Sequence, residues 1–318
     1  MTRSACLIYN PVAGQGDSEQ DLATIKSILE PEFDLDIQFT TKEVDGGELA
    51  RQAVQNNAEI IIASGGDGTV SAVAEALIRT DIPLGAIARG TANAFANALN
   101  IPDTIEAACQ VIVEGATRKV DAAECNGRPM ILLAGIGFEA ETVDDADRQT
   151  KNRLGMLAYV LSGLKQLKDF EKFETTIETD NKIITVQANA ITIANAAPPT
   201  SILAQGTAGV IYDDGLLDIT IITPQNRASA IAISYHLLQT ASNDEAAERE
   251  DIGYLRTEWV KVTTDPPQKV VLDGEIIGET PIEAKCIPGG LTVFAPLEKI
   301  PQEQEKLDHL KGIEIKTK

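Results

Sequence analysis

The sequence predicts an N-terminal Rossmann-like α/β domain followed by a C-terminal antiparallel β-sandwich domain. Two observations predict this class. In the first third of the chain, short apolar strands alternate with amphipathic helices, the order that forms a parallel sheet with helices on both faces. After residue 119, strand-like runs dominate and turn pairs separate them at short intervals, which is typical of an antiparallel sandwich.

The length of 318 residues fits two domains. We place the α/β domain at 1–124 and the β-rich domain at 125–298. The charged tail at 299–318 is predicted to contain a short helix that packs back on the first domain.

Four strands and three helices are predicted in the first domain. Glu59–Ala63 and Leu84–Ala88 are almost continuously apolar, as strands covered on both faces are. Ser18–Leu29 carries apolar residues at helical spacing, with Ser18 as its candidate N-cap. The remaining predicted elements are the strands Ala5–Tyr9 and Leu35–Phe39 and the helices Gly47–Gln55 and Val70–Ile78.

The chain after residue 119 is predicted to contain eight strand-like runs and two helices. Turn pairs such as Asn126-Gly127 and Asp273-Gly274 punctuate it. The predicted strands are Val120–Glu124, Pro129–Ala134, Thr175–Glu178, Ile183–Ile193, Leu216–Ile222, Val260–Thr264, Lys269–Leu272 and Leu291–Ala295. The predicted helices are Asn152–Lys168 and Asn226–Thr240.

Composition narrows the function classes. Lysine and arginine number 27 against 48 aspartates and glutamates, a net charge of -21 that disfavours binding to the phosphate backbone of nucleic acids. With only two histidines, His236 and His309, acid–base chemistry falls to carboxylates. Four scattered cysteines predict reduced thiols and a cytoplasmic protein. We expect neither a signal peptide nor a membrane span.

The strongest local signal is the run Gly65-Gly66-Asp67-Gly68-Thr69, which follows a buried strand and precedes a helix. Consecutive glycines let backbone N–H groups approach phosphate oxygens, and the helix N-terminus favours their charge. A carboxylate in such a loop indicates Mg²⁺ or a proton transfer. The alternative is a tight turn capped by a threonine.

Two further loops of this kind follow strand ends, one at residues 10–16 and one at residues 89–95. Open parallel sheets bind ligands at the carboxyl ends of their strands. Three such loops together predict a nucleotide site, although each alone could be a turn. No loop has the Gly-Lys-Ser/Thr of a P-loop, and none has the dinucleotide fingerprint with its acidic ribose partner.

The motifs resemble, in order, those of the bacterial lipid kinases that share the diacylglycerol kinase catalytic domain, relatives of sphingosine kinases and, more distantly, of NAD kinases. The resemblance runs from Leu7 to about Pro296. It rests on Asn10-Pro11 with Gly14, Thr41, Gly65 to Thr69, Gly90-Thr91-Ala92-Asn93, Val120-Asp121, Gly135-Ile136-Gly137-Phe138, Asp214-Gly215-Leu216-Leu217-Asp218 and Asp273-Gly274-Glu275.

The resemblance implies transfer of the γ-phosphoryl group of ATP to a lipid hydroxyl, with ATP in the cleft between the domains. The nucleotide contacts implied are Asn10, Pro11, Gly14, Thr41, Ser64, Gly65, Gly66, Asp67, Gly68, Thr69, Val70 and Thr91. Glu275 is the implied base, with Asp273 its rival and Asp67 a further catalytic residue. A structural Mg²⁺ would be held by Asp214 and by the backbone near Ile211 and Leu216, and Asp121 is a further metal residue beside Asp67.

Physical chemistry supports part of this assignment independently. Phosphoryl transfer needs positioning, charge neutralisation and a hydroxyl in line with the leaving group. Mg²⁺ prefers oxygen ligands, often one or two carboxylates with water and phosphate. The alternative for Asp273-Gly274-Glu275 is a plain hairpin turn, because Asp-Gly is a frequent hairpin pair; for Asp213-Asp214-Gly215 it is likewise a turn.

Two departures from the family pattern concern the nucleotide loops. Ala94 stands where the family usually has aspartate, which bears on the metal network of Asp67 and Asp121. Ala13 and Gln15 replace the usual hydroxyl and basic residues of the first loop. Arg89 is the candidate replacement for the lost basic phosphate contact.

The leading interpretation is therefore an ATP- and Mg²⁺-dependent lipid kinase of phospholipid metabolism, acting on a diacylglycerol-like or phosphatidylglycerol-like acceptor. Two alternatives stay open: a kinase with a soluble acceptor such as NAD, and a nucleotide-binding protein that has lost catalysis. We expect transient peripheral contact with the inner membrane face, no nucleic acid, and a homodimer as an open possibility. The basic helix Asn152–Lys168 either covers the sandwich or rests on the membrane.

Overall fold

The fold is taken from a computed structural model. It describes residues 3–14, 16–137, 172–199, 201–207, 209–242, 245–296, 305–307 and 310–318. Phe138 and the predicted helix Asn152–Lys168 lie outside the described residues. The chain forms two compact units, one of residues 1–122 and 288–299 and one of residues 123–287 and 300–318. The segment from residue 288, predicted in the second domain, belongs to the first unit.

The first unit contains a parallel sheet with five helices along the chain. Its strands are β1 Arg3–Tyr9, β2 Phe33–Phe39, β3 Ile60–Gly65, β4 Leu84–Ala88 and β5 Thr117–Cys125, which runs on into the second unit, with the end of β16 Ile282–Phe294. Its helices are α1 Ser18–Leu29, α2 Gly46–Gln55, α3 Asp67–Leu77, α4 Ala94–Ala98 and α5 Ile105–Glu114. The strand order is β16-β4-β3-β1-β2, and every neighbouring pair is parallel.

Burial explains this sheet. All residues of β3 and β4 are buried, as strands with helices on both faces must be. On α3 the buried residues Val70, Val73, Ala74 and Leu77 recur at helical spacing and form its core-facing stripe. Register aligns Tyr9 with Ser64 and Ser64 with Ile87, so that β1, β3 and β4 end at one edge.

One helix start differs from the prediction. Asp17, not Ser18, is the N-cap of α1, because its carboxylate accepts hydrogen bonds from the N–H groups of Glu19 and Gln20. Two helices, α4 and α5, were not predicted. Thr104 caps α5 through the N–H of Ala107, and Gly115 ends it in the left-handed conformation.

The second unit is an antiparallel sandwich. Its strands are β6 Arg128–Met130, β7 Leu133–Gly137, β8 Phe173–Thr179, β9 Lys182–Ala188, β10 Ala190–Ala194, β11 Leu217–Ile222, β12 Ile252–Thr257, β13 Trp259–Asp265, β14 Lys269–Leu272, β15 Glu275–Glu279 and β17 Glu314–Thr317. A 3-10 helix spans Ile202–Thr207, and the helix α6 spans Arg227–Ser242.

Two antiparallel layers supply one core. One layer has the order β12-β11-β10-β7-β14-β15, and the other runs β17-β9-β8-β13-β16. Ile136, Ile191 and Ile219 from the first layer belong to one buried cluster with Ile177 and Val262 from the second. The predicted α/β and antiparallel sandwich classes are confirmed. The predicted strand Ile183–Ile193 is in fact two strands, β9 and β10.

The C-terminal tail corrects one prediction. Residues 300–318 belong to the second unit and not to the first, and the described residues of the tail are not helical. Lys306 exchanges two backbone hydrogen bonds of 2.8 Å with Tyr254, and β17 pairs with β9. A side chain at Gly253 would collide with Leu310, so this glycine leaves the space in which the buried Leu310 packs.

No helix within the described ranges is long and apolar enough to cross a membrane.

Candidate functional site

Three loops leave the common edge of the parallel sheet and are joined at their first residues. The N–H of Asn10 donates to the carbonyl of Ser64 at 2.8 Å, and the N–H of Arg89 donates to the carbonyl of Gly65 at 2.7 Å. We call residues 10–14, 64–70 and 89–94 the loop site. Their strands end in register, so the loops start side by side as the sequence predicts.

The middle loop ends in an uncapped helix. Gly66 precedes α3 as its N-cap residue and makes no side-chain cap. A Cβ at Gly65 would lie 2.7 Å from Cβ of Thr69, whereas a Cβ at Gly68 would meet nothing within 4 Å. The first turn of α3 therefore presents N–H groups beside open space, which is the geometry that binds phosphate. These residues fit the phosphates of a nucleotide.

Backbone and side chains link the second loop to the other two. A Cβ at Gly90 would lie 2.9 Å from Cα of Gly66, so only glycine permits this approach of the two backbones. The side-chain amide of Asn10 donates to Oγ1 of Thr69 at 2.8 Å. The relative position of the three loops is thus fixed by the chain itself.

Asp67 is engaged with the third loop. Its carboxylate accepts hydrogen bonds from the N–H of Asn93 at 3.1 Å and the N–H of Ala94 at 2.5 Å. Asn93 is left-handed at φ 48° and its Oδ1 accepts the N–H of Gly90 at 2.8 Å. Asp67 therefore orders the loop in which Ala94 replaces the usual aspartate. Its predicted catalytic and metal roles stay predictions.

Arg89 does not point to a phosphate position. Its guanidinium is almost wholly buried and donates to Oγ of Ser64 at 3.0 Å, to the carbonyls of Asn10 and Ala13, and to Asp21 at 3.0 Å. The same group lies 4.1 Å from the ring centroid of Tyr9. Arg89 thus joins the first loop to β3 and α1, and its proposed phosphate contact is not supported by this geometry.

The other residues predicted to contact the nucleotide differ in their exposure to solvent. Pro11, Gly14, Thr41 and Thr91 are exposed, and Gly14 is left-handed at φ 94°. Oγ1 of Thr41 accepts the N–H groups of Glu43 and Val44 in a local turn. Ser64 and Val70 are buried, and Oγ of Ser64 is bonded to Arg89.

Asp121, a predicted metal residue, lies on β5 with 3% of its surface exposed. Its Oδ1 accepts the N–H of Gly289 at 2.7 Å, which holds β5 against the returning strand β16 within the first unit. A metal role for this carboxylate stays a prediction.

The Asp-Gly-Glu motif forms the turn of a hairpin in the second unit, which we call the acidic hairpin (β14, residues 273–274 and β15). Asp273 and Gly274 are both left-handed, at φ 48° and 93°, as a tight two-residue hairpin turn requires. The carboxylate of Asp273 accepts three consecutive N–H groups, those of Ile131, Leu132 and Leu133, at 2.7, 3.0 and 2.8 Å.

The two acids of the Asp-Gly-Glu motif have different surroundings. Burial raises the pKa of Asp273, and the three backbone N–H bonds oppose this without cancelling it. Glu275 begins β15 and is exposed. The geometry therefore gives Asp273 a role in holding the hairpin and leaves Glu275 accessible to a substrate.

The residues predicted to hold a structural Mg²⁺ form a cluster with Arg256, which we call the acid–arginine cluster (Asp214, Asp218 and Arg256). Nε of Arg256 bonds Oδ1 of Asp218, and Nη1 lies 3.9 Å from Oδ2 of Asp214. The N–H groups of Leu216 and Ile211 donate to Asp214 and Asp218. A divalent ion here would face a buried positive charge, so the arrangement does not fit the predicted magnesium site. No cluster of three or more metal-ligating side chains occurs in the described part of the chain.

The structure brings together Asn10, Ser64, Gly65, Gly66, Asp67 and Thr69 in the loop site. Asp273, Glu275 and Asp214 lie in the second unit. Sequence reasoning did not find the positioning contacts of Arg89, Asp21 and Asn93. An arginine directly after a buried strand is a signal that could have indicated Arg89, because a cation there needs partners.

The N-terminal and C-terminal parts of the chain each match a known protein domain. The diacylglycerol kinase catalytic domain matches residues 4–125, and the YegS C-terminal NAD kinase beta sandwich-like domain matches residues 133–295. An uncharacterized protein of Synechocystis sp. is 51% identical over 93% of this chain and 71% of its own length. The diacylglycerol kinase of Bacillus subtilis is 31% identical over 94% of this chain and 99% of its own.

A solved structure agrees with these matches. The crystal structure of a candidate diacylglycerol kinase from Bacillus anthracis is similar with a TM-score of 0.78 and 27% identity, over 92% of this chain and 97% of that one.

Proposed function

The chain belongs to the diacylglycerol kinase family and is a lipid kinase, and we propose that it transfers the γ-phosphoryl group of ATP, with Mg²⁺, to the hydroxyl of a lipid. The observation that supports this most is the loop site, whose uncapped α3 N-terminus lies beside open space and glycine backbone. The linkages between the loops pre-organise that space for a polyphosphate.

Glu275 is the proposed base. In the step it supports, the proton of the lipid hydroxyl passes to Glu275 and the hydroxyl oxygen forms a bond to the γ-phosphorus. The bond from that phosphorus to the bridging oxygen of ADP then breaks. Exposure favours Glu275 over Asp273, because the carboxylate of Asp273 is committed to three N–H groups. Mg²⁺ would neutralise phosphate charge in this step.

Asp67 is proposed to position the third loop and to be the nearby carboxylate for the ion that accompanies ATP. Its contacts with the N–H groups of Asn93 and Ala94 support the positioning role. Asp121 is the second proposed carboxylate of this kind, on the ground of the family motif alone.

The acceptor proposed is a diacylglycerol-like or phosphatidylglycerol-like lipid, met at the inner face of the membrane by a cytoplasmic protein. The curated Bacillus subtilis relative is called diacylglycerol kinase, which supports this class. A homodimer is a further proposal, which sedimentation of the purified chain would test.

The deciding experiment offers the protein ATP, Mg²⁺ and a panel of lipids in mixed micelles, and follows products by mass. We expect one lipid to gain the mass of a phosphoryl group. Phosphorylation of NAD without micelles would favour the soluble acceptor instead. ATP binding with no transfer to any acceptor would mean that catalysis has been lost, with Ala94 as the first residue to examine.

A further inference from the structure

The acid–arginine cluster joins the paired strands β11 and β12 to the loop that precedes β11. Asp218 on β11 and Arg256 on β12 are direct partners in the antiparallel register. Their side chains are 0% and 2% exposed. Nη2 of Arg256 also donates to the carbonyl of Gly209 at 3.2 Å. The guanidinium therefore holds both a strand partner and a loop carbonyl.

The loop at 209–216 has no regular secondary structure and depends on this cluster for its shape. Asp214 accepts the N–H of Leu216 and lies 3.9 Å from Nη1 of Arg256. Asp218 accepts the N–H of Ile211 at 3.3 Å. Two acids and one guanidinium thus connect three points of the loop to the sheet.

A bound divalent cation would have the same structural role as this guanidinium. It would balance the negative charge of the acids and draw loop oxygens toward one point. Here Arg256 already supplies the positive charge and already bonds a loop carbonyl. Because it is buried, a metal ion beside it would meet a cation that water does not screen.

We propose that Arg256 is the built-in cation of the loop at 209–216 and takes the place of a divalent metal in this family member. The proposal is independent of the proposed kinase activity, because it concerns the stability of the second unit. It predicts that this unit folds without Mg²⁺ and that a metal becomes useful only when the guanidinium is removed.

The experiment measures thermal unfolding of the full chain without nucleotide, in EDTA and in MgCl₂ or MnCl₂. We expect the wild-type midpoint to be the same in all three solutions. R256M should lower the midpoint in EDTA by roughly 10 °C, since it removes the buried cation that pairs with the buried carboxylate of Asp218. Metal ions should restore part of that loss in R256M, and the added D214N should abolish the restoration.

R249M is the matched control, because Arg249 pairs with Asp251 through two 2.8 Å bonds in the same unit and away from Asp214. It should lose less stability and gain none from metal. R256K keeps a positive charge and serves as the test variant if R256M does not fold. The unfolding midpoint of R256K should fall less than that of R256M and should not change with metal ions.

Three outcomes with R256M and wild type would overturn the proposal. A wild-type midpoint that EDTA lowers, with the effect removed by D214N, would show a resident metal. R256M as stable as wild type in EDTA would show that the acids need no internal cation. R256M that is destabilised but not restored by any metal would reduce the cluster to an ordinary ion pair. An R256K midpoint that rises with metal ions would likewise overturn it, since the acids would then take a metal beside a cationic side chain.

Discussion

The loop site and the acidic hairpin use aspartate in the same way but expose different groups. In the loop site, Asp67 accepts two backbone N–H groups, and in the hairpin Asp273 accepts three. The loop site is assembled from three segments by side-chain links and opens onto helix N–H groups. The hairpin is local in sequence, and the accessible acid next to its turn is Glu275. In both motifs, then, the aspartate beside glycine shapes the backbone, and its neighbours are the groups that we propose to meet the substrate.

The largest effect should come from the accessible acid. E275Q removes the proposed base without changing size, so we expect kcat to fall by roughly 10²–10⁴-fold. ATP affinity and melting temperature should stay near wild type, because Glu275 is exposed. Steady-state assays with the accepted lipid measure kcat, ATP titration measures the affinity, and thermal unfolding measures the melting temperature. E279Q, on the exposed end of the same strand, is the matched control and should keep its activity. If E275Q has the kcat of wild type, a residue other than Glu275 must be the base.

Arg89 tests whether the loop site depends on internal links. R89M leaves Asp21 and two loop carbonyls without their donor, and we expect the dissociation constant for ATP to rise roughly 10–100-fold. R89K should bind ATP nearly as weakly as R89M does, because one ammonium cannot reproduce the fork of a guanidinium. Faster hydrogen exchange at 10–14 without ATP should accompany the loss.

The control for Arg89 is R51M, which removes an exposed arginine paired with Glu48. It should leave nucleotide binding unchanged. If R89K binds ATP as wild type does, a positive charge at this position is sufficient and the positioning role of the guanidinium fork fails.

Asp273 offers a smaller effect with a distinctive pH dependence. D273N should cost about 1–3 kcal/mol of unfolding free energy, because one of the amide's two polar atoms is a donor facing N–H groups. Burial raises the pKa of Asp273, so the folded state holds its proton more tightly than the unfolded state does. The difference in unfolding free energy between wild type and D273N should therefore grow as the pH falls from neutral toward the ordinary pKa of aspartate.

Denaturant unfolding of both proteins at several pH values measures this difference, in which other carboxylates cancel. An advantage that shrinks on acidification would mean that the three N–H bonds outweigh burial and that the pKa is lowered instead.

The sequence predicted the fold well where patterns are local. Continuous apolar runs located β3 and β4, and glycine-rich segments after strands located the loop site. The helix α5 was missed although Pro102 and the cap residue Thr104 precede it and Gly115 follows it, so its start and stop signals were present in the sequence. The tail was misplaced because its partner is a strand edge, and an exposed strand such as β17, with all four residues exposed, carries no burial pattern.

The chemistry of the site was harder to predict, because it depends on contacts far apart in sequence. Arg89 reaches Asn10 and Asp21, and Arg256 on β12 reaches Asp214 in the loop at 209–216. A motif shows which residue types are present but not which of them are already paired. That is why Asp273 and Asp214 read as chemical groups in the sequence, while the structure shows them bonded within the protein.

The smallest effect concerns the buried cysteines, two in each unit. Burial raises the pKa of Cys6 and Cys109 to about 12 and that of Cys125 to about 11, so little thiolate exists at neutral pH. We expect almost no alkylation of the native protein by iodoacetamide. In mild denaturant, the cysteines that react first report which unit opens first. Because the second unit holds an ion pair between Arg256 and Asp218 whose side chains are 2% and 0% exposed, Cys6 and Cys109 should be modified before Cys125 and Cys286. Peptide mass mapping gives the order, and simultaneous modification of all four would show that the two units unfold together.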